Sequence, residues 1–149
     1  MPRHRISASA LIAAPPERVY AVIANYRDSH PRILPRPPFG PLTVEEGGVG
    51  AGTVITFDMR LLGQLQHLQA TVTEPEPGRV LVETDLRSGA VTTFTVDRRA
   101  DGREALTTIT TEIDVPRGLL GRLQAWMLTR LLQPVYTREL DQLAEVVQP

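Results

Sequence analysis

Ala13-Ala14-Pro15-Pro16-Glu17-Arg18-Val19-Tyr20 decides how this chain is organised, because it ends a strand and starts a helix. Proline fits the first helical turn, where its missing N–H loses no bond. The apolar stripe Val19, Tyr20, Val22 and Ile23 then carries the helix as far as Asn25. On the N-terminal side, Arg3 and Arg5 before an apolar stretch ending in two alanines imitate a leader peptide. That stretch is short and is interrupted by Ser7 and Ser9, and Ile6, Ala8, Ala10 and Ile12 alternate, so it reads as a strand. On the C-terminal side, residues 28–41 contain Pro31, Pro35, Pro37, Pro38 and Pro41, a spacing that neither a long helix nor a central strand survives. A short helical turn and a stiff loop are expected there, anchored by Ile33, Leu34 and Phe39.

Beyond the prolines the period becomes two. Leu42 and Val44 begin a strand that ends at the glycines of residues 47–52. Thr53, Ile55, Phe57, Met59 and Leu61 form the next inward row, then Leu68, Ala70 and Val72. After Pro75-Glu76-Pro77-Gly78 the expected inward row is Val80, Val82, Thr84 and Leu86. Ala90, Thr92, Phe94 and Val96 follow, and Thr107, Ile109, Thr111 and Ile113 come last. No helical pattern separates these strands, so the sheet is an antiparallel meander.

One long helix, from about Pro116 to Val147, closes the chain. Ala125, Leu128, Leu132, Tyr136, Leu140, Leu143 and Val147 make a continuous stripe, and its first half adds a second stripe of Leu120, Leu123, Met127 and Leu131. Pro134 removes the bond to the Arg130 carbonyl and is expected to kink the helix. The expected fold is therefore α+β: a curved antiparallel sheet of six or seven strands wrapped around the C-terminal helix, with one or two short helices after the first strand. Such a wrap leaves either a large side-chain core or a cavity.

The length, 149 residues, suits a single domain spanning 1–149 with a core that needs no metal or disulfide. A net charge of -1 gives no global attraction to nucleic acid or to an anionic membrane. The chain has no cysteine, which removes disulfides, thiolate metal sites and a cysteine nucleophile. No segment approaches the ~20 apolar residues of a membrane span. Stable membrane insertion is therefore not expected, and the protein is read as cytoplasmic.

No catalytic constellation is visible. The glycines of residues 47–52 open a strand rather than a helix, so they read as a hairpin and not a phosphate loop. His4, His30 and His67 lack any metal-ligand spacing, and neither a metal nor a cofactor is expected. His30, before Pro31, is either a cap on a cavity mouth or a solvated turn residue. By alternation Asp58, Glu83 and Asp85 fall on the outer face, beside Arg60 and Arg87, as cross-strand ion pairs. Thr84, Thr92 and Thr111, with Gln66, interrupt rows that are otherwise apolar and inward. Their polar groups meet backbone carbonyls or form the polar spot of an apolar pocket.

Across nearly its whole length the chain resembles the START-like or SRPBCC superfamily, which includes polyketide cyclase/dehydrase-like proteins and birch-pollen-allergen-like carriers. The resemblance rests on the small-Pro-x-x-x-Val-aromatic pattern at Ala14–Tyr20, the glycine hairpin, the turn Pro75-Glu76-Pro77-Gly78-Arg79-Val80, and Glu139-Leu140-x-x-Leu143 in the last helix. It implies a helix-grip cup for a hydrophobic or amphipathic small molecule such as a lipid, polyketide or isoprenoid-like compound. The alternative it implies is a cyclase or aromatase using the same pocket, and that reading gains if Arg130, His30 and Tyr136 point inward together. The superfamily offers no universal catalytic residue to transfer.

The expected lining is Phe57, Met59, Leu61, Gln66, Leu68, Val82, Thr84, Thr92, Phe94, Ile109, Thr111 and Ile113 from the sheet, with Leu120, Met127 and Leu131 from the helix. Residues 28–41, with His30, Ile33, Leu34 and Phe39, are expected to rim the entrance together with the glycine hairpin. Leu119, Leu123 and Trp126 exceed what one sheet-facing stripe buries. Three covers are open, the loop of residues 33–39, a second copy of the chain or a transient membrane contact; the loop is the expected one and a homodimer comes next, so the protein is read as a monomer or a homodimer.

Overall fold

The computed structural model describes residues 2–149. Strands β1 (Arg3–Ile12), β2 (Phe39–Glu46), β3 (Val54–Leu61), β4 (Gln64–Glu76), β5 (Val80–Asp85), β6 (Val91–Arg99) and β7 (Glu104–Asp114) form one antiparallel sheet in the order β1-β7-β6-β5-β4-β3-β2. The meander runs from β2 to β7, and β1 closes on its last strand, with Arg3 opposite Asp114 and Ile12 opposite Ala105. Helices α1 (Pro16–Ala24) and α2 (His30–Ile33) fill the connection from β1 to β2, and α3 (Leu119–Val146) ends the chain. The expected α+β wrap is the observed one, with seven strands.

Local chemistry sets the helix boundaries. Pro15 is extended and its carbonyl accepts the first bonds of α1, from the Arg18 and Val19 N–H groups at 3.0 and 3.1 Å. After α1 the Asn25 side-chain oxygen accepts from the Arg27 and Asp28 N–H groups, both at 3.2 Å, and the chain turns. At the start of α3, Gly121 lies so close to the preceding segment that an added Cβ would sit 1.6 Å from the Pro116 carbonyl oxygen. The helix runs through Pro134, whose ring lies on the exposed face, with no interruption from Leu119 to Val146.

The two ends of the cup differ. Ile12, Val19, Ile23, Leu140, Leu143 and Val147 are buried together where α1 and the C-terminal half of α3 close over the sheet. The glycine hairpin belongs to this closed end. Gly48 O accepts from the Tyr26 N–H at 2.8 Å, and the Gly50 N–H donates to Ala24 O at 2.9 Å. A Cβ on Gly50 would lie 2.3 Å from Glu74, whose carboxylate accepts from the Tyr20 hydroxyl and the Ala51 N–H. The hairpin is thus clasped far from the cavity mouth, which corrects the expectation that it rims the entrance.

At the other end β3, β5 and β7 finish, β1, β2, β4 and β6 begin, and α3 starts. Here Leu119, Leu120, Leu123 and Trp126 are 81%, 70%, 57% and 60% exposed. The loop after α2 does not cover them. That loop and α2 before it are fixed instead on the C-terminal half of α3, where the Arg138 guanidinium donates to Pro37 O in the loop and the Gln142 amide to Arg32 O in α2. Ile33 is fully buried in the core, not at the rim.

Candidate functional site

The sheet builds one wall of a cavity from rows of residues fixed by register. Val72, Glu83, Thr92, Thr111 and Ile6 lie opposite one another across β4, β5, β6, β7 and β1. Leu81, Phe94, Ile109 and Ala8 make the adjacent inward row on β5, β6, β7 and β1. Facing them, α3 presents Gln124, Leu128, Leu132, Tyr136 and Glu139 along one side. Between the two walls is a cavity of about 380 Å³, within the range that holds small organic ligands.

Of the expected lining, Phe57, Met59, Leu61, Gln66, Leu68, Thr92, Phe94, Thr111 and Ile113 face this cavity, as do His30, Leu34 and Phe39. Ile109 points inward but is packed in solid core. Val82 and Thr84 point away, because β5 has the opposite phase: Leu81 is fully buried, and Glu83 and Asp85 face inward. The pairing explains it, since Glu83 lies opposite the buried Val72 and Asp85 opposite the buried Ala70. Asp58 does lie on the outer face, paired with His67. Leu120, Met127 and Leu131 also fail to line the cavity; α3 turns its other stripe, Leu128 and Leu132, toward the sheet.

The inverted phase brings in residues that the pattern of apolar positions misses: Glu83, Asp85 and, from α3, Glu139. Asp85 is satisfied locally by the Ser88 N–H and hydroxyl at 2.8 and 2.6 Å and the Gln69 N–H at 3.3 Å. Glu139 is 2% exposed and, among the described residues, has neither a hydrogen-bond donor nor a cation within bonding distance. Loss of water pushes its carboxyl well above the usual range, and Glu83 raises it further. Glu83 keeps some accessible surface as a wall residue of the cavity, and burial pushes it up to about 7.

Hydroxyls complete the polar part. Thr92 bonds Thr111 at 2.8 Å and Thr111 bonds the Tyr136 hydroxyl at 2.5 Å, so the threonines satisfy each other rather than backbone carbonyls. Burial raises the Tyr136 pKa, which keeps its proton in place. The Tyr26 hydroxyl is buried within reach of the Glu83 carboxyl but makes no well-formed hydrogen bond to it, and Glu139 is its other charged neighbour.

His30 is not a cap on the mouth. It is 1% exposed at the start of α2, stacked on Tyr26 at 4.2 Å and edge-on to Phe94 at 5.7 Å. Its Nδ1 lies 2.6 Å from Ile23 O, a group that only accepts, so Nδ1 carries the proton. Burial lowers the ring pKa to about 4, leaving a neutral imidazole with Nε2 as an acceptor. Arg130 points away from the cavity, over the Trp126 ring at 5.4 Å. Of the trio that favours catalysis, His30 and Tyr136 converge and Arg130 does not. Among the described residues, no three imidazole or carboxylate groups converge as metal ligands, and no helix is long and apolar enough to cross a membrane.

Comparison with known proteins follows the same lines. A family described as polyketide cyclase / dehydrase and lipid transport matches residues 3–148. Among solved structures, the KanY protein, determined in solution by NMR, is 26% identical with a TM-score of 0.86, covering 100% of both chains. The Zhui aromatase/cyclase from Streptomyces sp. R1128 is 16% identical with a TM-score of 0.74, covering 98% of this chain and 94% of its own. A START superfamily protein from Mycobacterium smegmatis is 13% identical with a TM-score of 0.66, covering 97% and 94%. A search of curated proteins found no match.

Proposed function

Because the chain belongs to the polyketide cyclase / dehydrase and lipid transport family, we propose that it binds a small amphipathic molecule in the cavity between sheet and α3. The observation that carries this reading is the cavity's composition: apolar walls of Phe39, Phe57, Leu68, Phe94 and Leu128 around a few convergent polar groups. The walls take an apolar body, and the carboxyls and hydroxyls orient its polar end. Titration with the neutral dye Nile red tests it. Thr92→Phe is expected to fill the space and abolish the fluorescence gain, at an overpacking cost of ~1–3 kcal/mol. Equal dye binding by wild type and Thr92→Phe would remove the cavity as the binding site.

A second reading, cyclase or dehydrase chemistry on a bound polyketide, is favoured by Glu83. A carboxyl held near 7 at a cavity wall exchanges protons efficiently at neutral pH. Ionised, it takes a proton alpha to a carbonyl while a protonated Glu139 donates to a departing hydroxyl, releasing water and leaving a double bond. Product formation by wild type and by Glu83→Gln, followed by the absorbance of the new conjugated system, tests it. Undiminished turnover in the variant excludes Glu83 as the base.

A further inference from the structure

Every one of the chain's 16 basic residues is an arginine, and none of them lines the cavity. Four carboxyls do: Glu83, Asp85, Asp114 and Glu139. Two of these are accounted for, Asp85 by the Ser88 turn and Asp114 by Arg3 at 3.1 Å. Glu83 and Glu139 have no cationic partner, and Glu139 is 98% buried with no hydrogen bond at all among the described residues. Burying a polar group without a partner is costly, and a cavity wall is where a ligand can supply the partner.

Resting on the reading of this cavity as a ligand site, we propose that its ligand carries a basic nitrogen, seated between the Glu83 and Glu139 carboxyls, on an otherwise apolar body. A carboxylate or phosphate ligand would bring a third negative group to a site with no cation. A carbonyl ligand could accept a proton from one acid but would give nothing to the remaining acceptor oxygens. An ammonium carries three N–H donors and serves both carboxyls at once. Two groups near the pair are already taken up within the protein: the Tyr136 and Thr111 hydroxyls share one bond, and His30 Nδ1 donates to Ile23 O. The Tyr26 hydroxyl offers Glu83 a single neutral donor and leaves Glu139 with none.

Binding an ammonium favours the ionised form of the pair, so at a pH where Glu83 is partly protonated the complex forms with partial release of a proton. The other titratable groups around the pair are His30 on α2, Tyr26 before it, Tyr136 on α3 and Asp85 on β5.

The test uses three probes of equal length, decylamine, decanol and decanoate, each competing with Nile red at neutral pH and physiological salt. The amine is expected to displace the dye at roughly tenfold or lower concentration than the alcohol, the size of one charge-assisted hydrogen bond, with decanoate weakest. Glu83→Gln and Glu139→Gln are each expected to shrink the amine's advantage over the alcohol. Titration calorimetry of the amine in buffers of different ionisation enthalpy is expected to show proton release that the Glu83→Gln/Glu139→Gln double variant loses. If alcohol or decanoate matches the amine, or if the advantage survives in the double variant, the basic nitrogen is overturned while the ligand site stands. If none of the three probes competes and the dye itself does not bind, both readings fall.

Discussion

The two ends of the cup use the same helix for opposite purposes. At the closed end α3 contributes Leu140 and Leu143, both under 3% exposed, against α1 and the sheet. At the open end it contributes Leu128 to a cavity wall and leaves Leu120 and Leu123 bare. Nearby, the β3–β4 hairpin exposes Leu62 and Leu65 at the same rim. Hydrophobic residues stabilise only in proportion to the area taken from water, so leucines of equal count contribute unequally at the two ends. Stability is concentrated where the cup is solid, and the end that is hollow is held up by it.

The largest expected effect lies at the closed end. Leu140→Ala is expected to cost ~2–5 kcal/mol in urea unfolding, through lost transfer energy and an unfilled cavity. Leu120→Ala, at the open end, is expected to change stability by less than ~0.5 kcal/mol. Equal costs would erase the distinction between the ends.

The next effect comes from the boundary between them, one residue before Leu140. Glu139→Leu removes a buried unpartnered carboxyl and is expected to raise stability by ~1–3 kcal/mol, because the desolvation penalty disappears. A loss of stability would mean that Glu139 has a partner inside the folded protein.

pH sharpens the same boundary. Glu83 rises from 4.5 to about 7 on folding, so the folded state holds more protons over that window and stability falls with increasing pH. His30 drops from 6.5 to about 4, so the unfolded state holds more protons and stability rises over a similar range. The two slopes oppose each other. Glu83→Gln leaves the His30 slope exposed, and its stability is expected to climb more steeply with pH than that of the wild type between 4.5 and 7. Parallel curves would place Glu83 in solvent.

The smallest effect is expected from Trp126→Glu, within ~0.5 kcal/mol of wild type, because the ring is already in water. A loss of several kcal/mol, or a dimer that becomes a monomer in sedimentation, would show that something covers this face.

Most of the sheet is legible from alternation. Phe57 and Met59, Leu68 and Ala70, Thr92 and Phe94 all share the side their neighbours dictate. Strand β5 is not legible in this way, for two reasons. Val80, Leu81 and Val82 are consecutive apolar residues and define no phase. A register shift between Thr73 and Glu76 then spoils any phase counted through the turn from β4. Acids on the inner face also violate the rule by which inner faces are found, which hides Glu83 and Asp85. On α3 the two stripes of the first half are visible, but their angle alone does not say which one the sheet takes. His30 carries no local signal of burial, since the carbonyl of Ile23 that holds it belongs to another helix.

The irregularity between Thr73 and Glu76 has a bearing on which side chains this cavity can present. Side-chain direction in a strand has a period of two, so sliding β5 by one position would present Val82 and Thr84 to the cavity in place of Glu83 and Asp85. The cavity would lose two of its four carboxyls, keeping Asp114 and Glu139, with no substitution at any wall position. In this architecture the length of the turn between β4 and β5 is therefore an inheritable control on which side chains face the cavity. Insertions and deletions there can achieve in one event what point mutation of the walls would need several steps to reach.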